Sequence, residues 1–165
     1  MRGILKRKES KDNCVVGDIV EISEDNYIIN VEERKNLVER PLVANIDYLV
    51  IQFAGKDPDI DYERLNILLL RSFYYKIKPV IIINKIDLLS AEELEEVKKN
   101  LDFLNKLDIK YFLISQKENI GIEELKVFLK DKITAFGGPS GVGKSSIINL
   151  LQNEKKLETG ETSKR

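Results

Sequence analysis

The residues best suited to chemistry lie near the end of the chain, where residues 137–146 read GGPSGVGKSS. This stretch contains the pattern G-x-x-x-x-G-K-S and lies between a short apolar run and an apolar helical pattern. Such a loop binds phosphate through its backbone N–H groups and the N-terminus of the next helix. We expect Lys144 to be the catalytic residue, which stabilises phosphate charge, and we expect the Ser145 hydroxyl to ligate Mg²⁺. The predicted phosphate-binding residues are Gly138, Pro139, Ser140, Gly141, Val142, Gly143, Lys144, Ser145 and Ser146.

A second polar motif, N-K-x-D, follows an apolar run at residues 80–83. Its aspartate, Asp87, can accept hydrogen bonds from N1–H and the 2-amino group of guanine, whereas adenine presents an acceptor at N1. A mismatch of this kind can give discrimination on the order of 10⁴-fold. A polar turn after a strand is the alternative for so short a motif. The predicted base-binding residues are Asn84, which would tie the loop to its neighbours, Lys85, which would lie along the base, Ile86 and Asp87.

A third polar segment, Ser115, Gln116 and Lys117, follows another apolar run. It could bring a backbone N–H to guanine O6, although a plain β-to-α turn fits it equally well by itself. All three segments follow predicted parallel strands, whose carboxyl ends lie at one edge of a sheet. The sequence therefore predicts that one guanine nucleotide contacts all three.

The elements that must position these loops alternate between strands and helices from Pro41 onward. The strands read as near-continuous apolar runs, which is typical of parallel strands buried on both faces. The succession predicts an α/β fold, a P-loop NTPase-type parallel sheet covered on both faces. The predicted strands cover residues 48–54, 80–83, 111–114 and 133–136. The first predicted helix covers residues 61–76, is ended by Pro79 and has an apolar face formed by Leu65, Leu68, Leu69 and Phe73. The second begins at Ser90, which forms a capping box with Glu93. The third lies around residues 122–129, and the fourth follows residue 144.

The first forty residues have a different character. Two β-rich runs, at residues 15–22 and 27–31, are separated by a turn at residues 23–26, which predicts a hairpin. So few strands cannot stand alone and should pack against the rest of the chain. Residues 1–11 carry five basic residues against one acidic residue, a local net charge of +4. A solvated arm and a nucleic-acid contact are both open interpretations of this run.

Composition excludes several classes of protein. The chain has 165 residues, no histidine and a single cysteine, Cys14, so it lacks the residues for a disulfide framework or a His/Cys zinc site. No apolar stretch reaches membrane-spanning length, and the N-terminus lacks the apolar core of a signal peptide. We expect a cytoplasmic protein, without membrane association and monomeric.

The order of the motifs is informative, because N-K-x-D precedes the phosphate loop, whereas the reverse order holds in Ras-like GTPases. With the segments VGDIVEI, ERKNLVERPLVANID, NKID and GGPSGVGKSSIINLL, the chain resembles the RsgA (YjeQ) family of circularly permuted GTPases, which act on the small ribosomal subunit. The resemblance implies binding of GTP or GDP with Mg²⁺ and contact with ribosomal RNA. It implies that residues 1–40 are part of an OB-fold and that residues 41–165 are the permuted GTPase domain. It also implies a zinc-binding domain, whose ligands this chain lacks.

Departures from the family pattern lead to further expectations. The opening resembles only the later strands of the OB-fold, and the chain ends at residues 162–165, before the switch I, the D-x-x-G motif and two further strands of the family. We therefore expect a fragment or truncated product that binds nucleotide weakly and hydrolyses little, with an open sheet edge at the strand near residue 133. The alternatives are a P-loop ATPase or small-molecule kinase, and a non-hydrolysing module that binds the ribosome.

Overall fold

The computed structural model describes residues 14–39 and 41–152, so the basic arm at residues 1–11 and the chain end at residues 162–165 lie outside it. In the described part, strands and helices alternate from residue 48 onward, rather than from Pro41 as predicted, because residues 42–44 form one more short strand. The elements in chain order are β1 (Val20–Ile22), β2 (Ile28–Val31), β3 (Leu37–Glu39), β4 (Leu42–Ala44), β5 (Tyr48–Ala54), α1 (Tyr62–Tyr74), β6 (Lys78–Asn84), a 3-10 turn (Ile86–Leu88), α2 (Ala91–Lys106), β7 (Tyr111–Leu113), α3 (Ile122–Leu129), β8 (Thr134–Gly137) and α4 (Lys144–Leu151).

The main sheet has four parallel strands in the order β7-β6-β5-β8. Val50 of β5 pairs with Val80 of β6 on one side and with Phe136 of β8 on the other. The strand that leads into the phosphate loop therefore lies beside the first strand of the sheet. This arrangement confirms the predicted α/β fold class. β8 is an outer strand of the described sheet, so the open edge expected there is present in this part of the chain.

Apolar side chains fill both faces of the sheet, because successive residues of a strand point to opposite sides. These side chains form two clusters, one on each face of the sheet. Burial of each large apolar side chain contributes about 1.5–3 kcal/mol, so the two clusters supply most of the driving force for folding. One cluster includes Leu49, Ile51, Phe53, Ile81 and Ile83 with Leu65 and Leu69 of α1 and Val97, Leu101 and Leu104 of α2. The other includes Val50 and Ile82 with Ile122, Leu125 and Leu129 of α3 and Ile147 of α4.

Local hydrogen bonds define where the helices begin. The Asp61 side chain accepts from the Arg64 backbone N–H at 2.8 Å at the start of α1. At α2, the Glu93 backbone donates to Ser90 Oγ at 3.2 Å and the Ser90 backbone donates to Glu93 Oε2 at 2.7 Å, which is the predicted capping box. No helix in the two described ranges combines the length and the apolar character needed to cross a bilayer.

Two details of the predicted first helix are wrong. Phe73 was expected on its buried face but is 48% exposed. Pro79 does not end the helical segment, because α1 ends at Tyr74 and Pro79 is the second residue of β6. A proline is tolerated there because β7 pairs with β6 only from Ile81 onward, which leaves one side of β6 unpaired at residue 79.

The N-terminal part forms two antiparallel strand pairs. The predicted hairpin is β1–β2, closed by hydrogen bonds at Ser23, Asn26 and Tyr27, although β1 is shorter than predicted. The second pair, β3–β4, was not predicted, and the predicted domain boundary between residues 40 and 41 falls between its strands. Val38 of β3 is 2% exposed and belongs to the cluster on one face of the main sheet, so this part packs against the α/β unit, as expected. Its assignment to an OB-fold stays a prediction.

Candidate nucleotide-binding site

The phosphate loop has the predicted strand, loop and helix context, since β8 ends at Gly137 and α4 begins at Lys144. Gly138, Gly141 and Gly143 have φ angles of 134°, 81° and 91°, a region that favours glycine. A Cβ atom on Gly138 would lie 2.1 Å from the backbone oxygen of Gln52, so only glycine fits there. The loop thus approaches β5 closely and then turns into the N-terminus of α4, where an anion is favoured.

The Lys144 ammonium is held within this loop. It donates to the backbone oxygens of Gly138 at 3.1 Å and Pro139 at 2.5 Å. Burial, together with the nearby Arg64 guanidinium, lowers the pKa of Lys144 below its usual value. A partly desolvated cation beside another cation gains more from an anionic ligand than a fully solvated one does. Lys144 therefore stands where the charge of a phosphate group would stabilise it.

The predicted base-binding motif is joined to the third polar segment. Ser115 Oγ donates to Asp87 Oδ1 at 2.6 Å and accepts from the Glu118 backbone N–H at 3.1 Å. Ser115 is buried and Asp87 is half-buried, and the hydroxyl engages only one of the two carboxylate oxygens. Ile86 donates its backbone N–H to Ile114 O at 3.2 Å, which adds a second tie between the two loops.

Asn84 connects the base-binding motif to the phosphate loop. Its side chain is almost fully buried, at 1% exposure of the residue, and Nδ2 donates to Val142 O at 3.0 Å. The same nitrogen lies 3.4 Å from Gln116 Oε1 in the third segment. The role predicted for Asn84, tying the loop to its neighbours, matches this geometry. All three polar segments therefore meet at one edge of the sheet.

The remaining predicted residues are less involved in these contacts. Lys85 has a left-handed backbone conformation, and its ammonium donates to Asp57 O in the loop between β5 and α1. Lys117, Ser140 and Ser146 are exposed, so their side chains face solvent at the rim of the site.

Sequence reasoning missed two contributors. Gln52 is completely buried and donates from Nε2 to Val142 O at 2.8 Å, although it lies on β5 rather than in any motif. Its signal is that it is the single polar residue in the seven-residue strand YLVIQFA. The other contributor is the loop between β5 and α1, which contacts Lys85 through Asp57 and comes within 3.9 Å of an ideal Cβ on Gly141 through Pro58.

A magnesium ion fits this site only together with a nucleotide. Ser145 lies exposed in the first turn of α4 and offers one oxygen ligand. Residues 14–39 and 41–152 contain no group of three His, Cys, Asp or Glu side chains that could hold a metal ion. Because Mg²⁺ takes six oxygen ligands, phosphate oxygens and water would have to complete the set.

Comparison with known proteins places these features in context. A protein family model described as RsgA GTPase matches residues 25–165. The Small ribosomal subunit biogenesis GTPase RsgA of Fusobacterium nucleatum subsp. nucleatum is 62% identical over 165 residues, which covers 100% of this chain and 58% of that protein. The protein of the same name from Caldanaerobacter subterraneus subsp. tengcongensis is 42% identical over 174 residues, with 99% of this chain and 58% of that protein covered.

Solved structures show the same likeness. The crystal structure of YjeQ from Thermotoga maritima superposes with a TM-score of 0.79 at 35% identity, covering 90% of this chain and 54% of that one. The crystal structure of YloQ, described as a circularly permuted GTPase, gives a TM-score of 0.73 at 27% identity, with coverages of 86% and 50%. The chain thus spans a little over half the length of the curated relatives that it matches.

Proposed function

Because the chain belongs to the RsgA GTPase family, we propose that it binds GTP and GDP and takes part in GTP hydrolysis during maturation of the small ribosomal subunit. The observation that carries the proposal is the hydrogen bond from Asn84 Nδ2 to Val142 O at 3.0 Å. It joins the base-binding motif to the phosphate loop, 58 residues away in sequence. A guanine base at one loop would therefore have its phosphates at the other.

Asp87 is the residue proposed to select guanine. Ser115 Oγ holds Oδ1, so the carboxylate is oriented before the base arrives, and both N1–H and the 2-amino group are hydrogen-bond donors that match it. The backbone N–H groups at Gln116 and Lys117 are proposed to reach guanine O6. Selectivity then follows from the unpaired buried groups that adenine would leave.

Lys144 and Ser145 are proposed to act on the phosphates. Lys144 would move from the carbonyl oxygens of Gly138 and Pro139 to the β- and γ-phosphates and stabilise their negative charge. Ser145 would hold Mg²⁺, and this ion, when bound with the nucleotide, neutralises phosphate charge. We assign no general base, because phosphoryl transfer depends mainly on positioning and charge stabilisation. The weak binding and low hydrolysis expected of this chain stay predictions.

The proposed partners are the small ribosomal subunit and its RNA, through the strands β1–β4 and the basic residues 1–11. OB-fold strands bind nucleic acid along one face, and a basic arm adds attraction to phosphate. A monomer located in the cytoplasm agrees with this role. Zinc is not proposed for this chain, which has no histidine and one cysteine.

Competition binding tests the nucleotide assignment. GDP and ADP are titrated against a fluorescent GDP analogue bound to the chain, with Lys144→Met as the control for binding through the phosphate loop. We expect GDP to compete far better than ADP. Equal competition would remove the guanine assignment and favour a P-loop ATPase or small-molecule kinase.

Hydrolysis and ribosome binding are then measured together. GTP turnover is followed with and without purified small subunits, alongside a pull-down of the subunits in GDP and in a non-hydrolysable GTP analogue. Stimulated turnover supports the GTPase. Nucleotide-dependent binding without turnover in either condition indicates a non-hydrolysing ribosome-binding module instead.

A further inference from the structure

Three amide side chains surround Gly143, at the end of the phosphate loop, and two of them, Asn84 and Gln52, belong to buried residues. A Cβ atom on Gly143 would lie 2.6 Å from Asn84 Nδ2, 3.2 Å from Gln116 Oε1 and 3.7 Å from Gln52 Nε2. Asn84 and Gln116 belong to the polar segments that the proposed function already uses. Gln52 belongs to none of them, and it lies in a strand that is otherwise buried and apolar.

We propose that Gln52 is a positioning residue for the phosphate loop, which its side-chain amide holds at Val142. Its side-chain Nε2 donates to Val142 O at 2.8 Å near the end of the loop. Its backbone oxygen lies against Gly138 at the start of the loop, where it leaves no room for a Cβ atom. This inference rests on the proposed function, since it concerns the loop that would bind the phosphates.

The effect of Gln52 on a ligand passes through one peptide group. In a planar trans peptide, the C=O of Val142 and the N–H of Gly143 point in opposite directions. Gln52 of β5 and Asn84 of β6 both donate to that C=O, at 2.8 Å and 3.0 Å. The Gly143 N–H is therefore directed away from the sheet, towards the side on which the loop would receive a phosphate.

Stability alone does not account for a glutamine at this position. Gln52 is completely buried, and its Oε1 has no hydrogen-bond partner among the residues that the structure describes. A buried amide oxygen left without a partner is destabilising, whereas an apolar side chain in the same strand would add to the core. The Gln52 Nε2 group does form a hydrogen bond, and its acceptor, Val142 O, belongs to the phosphate loop. We therefore assign the side chain a role in ligand binding.

The test replaces Gln52 by methionine, which has a similar shape and no N–H group. Because Asn84 still holds Val142 O, loss of one neutral hydrogen bond should weaken GDP binding by about tenfold. The ratio of GDP to IDP affinity should stay unchanged, since hypoxanthine, the base of IDP, lacks only the 2-amino group of guanine, and this group is proposed to bind Asp87 rather than the phosphate loop. Gln52→Asn, one methylene shorter, should behave like the methionine variant.

Phe53→Leu is the matched control, since it reduces packing in the same strand without touching the phosphate loop. It should lower the melting temperature yet leave GDP affinity per folded molecule unchanged. Wild-type affinity in Gln52→Met, or an equal loss in Phe53→Leu, overturns the inference while leaving the proposed function in place. A wild-type chain that binds no guanine nucleotide overturns the proposed function and this inference with it.

A measurement on the wild-type chain covers the case in which the Gln52 variants do not fold. By NMR, GDP should slow solvent exchange of the Gln52 side-chain amide protons and shift the Gly143 backbone amide resonance. If GDP binds and neither signal changes, Gln52 does not position the loop.

Discussion

Replacement of Asp87 by asparagine should change the base preference of the site from guanine to xanthine. Ser115 Oγ gives its proton to Asp87 Oδ1 at 2.6 Å and accepts from the Glu118 backbone. In the variant, the amide oxygen keeps this hydrogen bond, so the amide nitrogen must face the base. The amide N–H is a hydrogen-bond donor, and guanine presents two more donors to it, N1–H and the 2-amino group. Xanthine instead has an oxygen at C2, which can accept a hydrogen bond from the amide.

The size of the effect follows from these contacts. Loss of a charge-assisted hydrogen bond costs about 1.5–3 kcal/mol, and the base donor left facing another donor costs about 1–3 kcal/mol more. Together these terms weaken GDP binding by about 2.5–6 kcal/mol, which corresponds to roughly 10²- to 10⁴-fold. XDP should not suffer this loss of binding free energy, because the C2 oxygen of xanthine accepts a hydrogen bond from the asparagine amide.

The assay is competition of GDP and XDP against a fluorescent guanine nucleotide for the wild type, and against a fluorescent xanthine nucleotide for the variant. Asp25→Asn serves as the control, because it removes the same charge from an exposed position in the turn between β1 and β2, outside the nucleotide site. The melting temperature of Asp87→Asn should match that of the wild type, since size and the Ser115 contact are retained. An Asp87→Asn protein that still prefers GDP over XDP would refute the assignment of Asp87 to the base.

Three further predictions concern binding and stability. Gly138→Ala should abolish nucleotide binding and lower the melting temperature by several degrees in a thermal melt, because its Cβ would lie 2.1 Å from a backbone oxygen. The control is Gly137→Ala, whose Cβ would meet nothing nearer than 4.0 Å and which should leave binding and melting temperature nearly unchanged. Lys144→Met should weaken GDP binding at least tenfold by calorimetry and leave the melting temperature of the nucleotide-free chain unchanged, since the charge it removes is partly desolvated. Asp18→Asn should destabilise the N-terminal strand pairs by about 3 kcal/mol in urea unfolding, because the buried carboxylate accepts two bonds from Arg34, at 2.7 and 2.9 Å. These bonds lower the pKa of Asp18 below its ordinary value of 3.8. The stabilisation by Asp18 is therefore fully present above pH 3.8 and is lost as the pH falls through the lowered pKa. An Asp18→Asn variant that loses as much stability at low pH as the wild type does contradicts this.

Much of the fold could be predicted because its signals are local. The strand Tyr48–Ala54 has the bounds that its apolar run predicts, and the capping box at Ser90 and Glu93 needs only residues three apart. The hairpin β3–β4 was missed because its strands are three residues long, too short for an alternating pattern to show. Pro79 was misplaced because its tolerance in β6 depends on where β7 begins to pair, which no local pattern reports.

The sequence by itself determined which residues could bind a nucleotide, since the glycines, Lys144 and Asp87 belong to motifs whose chemistry follows from residue type and spacing. Only the tertiary structure decided how they are held. Val142 O receives its two hydrogen bonds from Asn84 and Gln52, which lie 58 and 90 residues away. Contacts at that separation exist only once β8 has paired beside β5, and pairing of distant strands is driven by the burial of whole sheet faces rather than by any motif. For that reason a role could be proposed for Gln52, a single polar residue in an apolar strand, only when its partner was known.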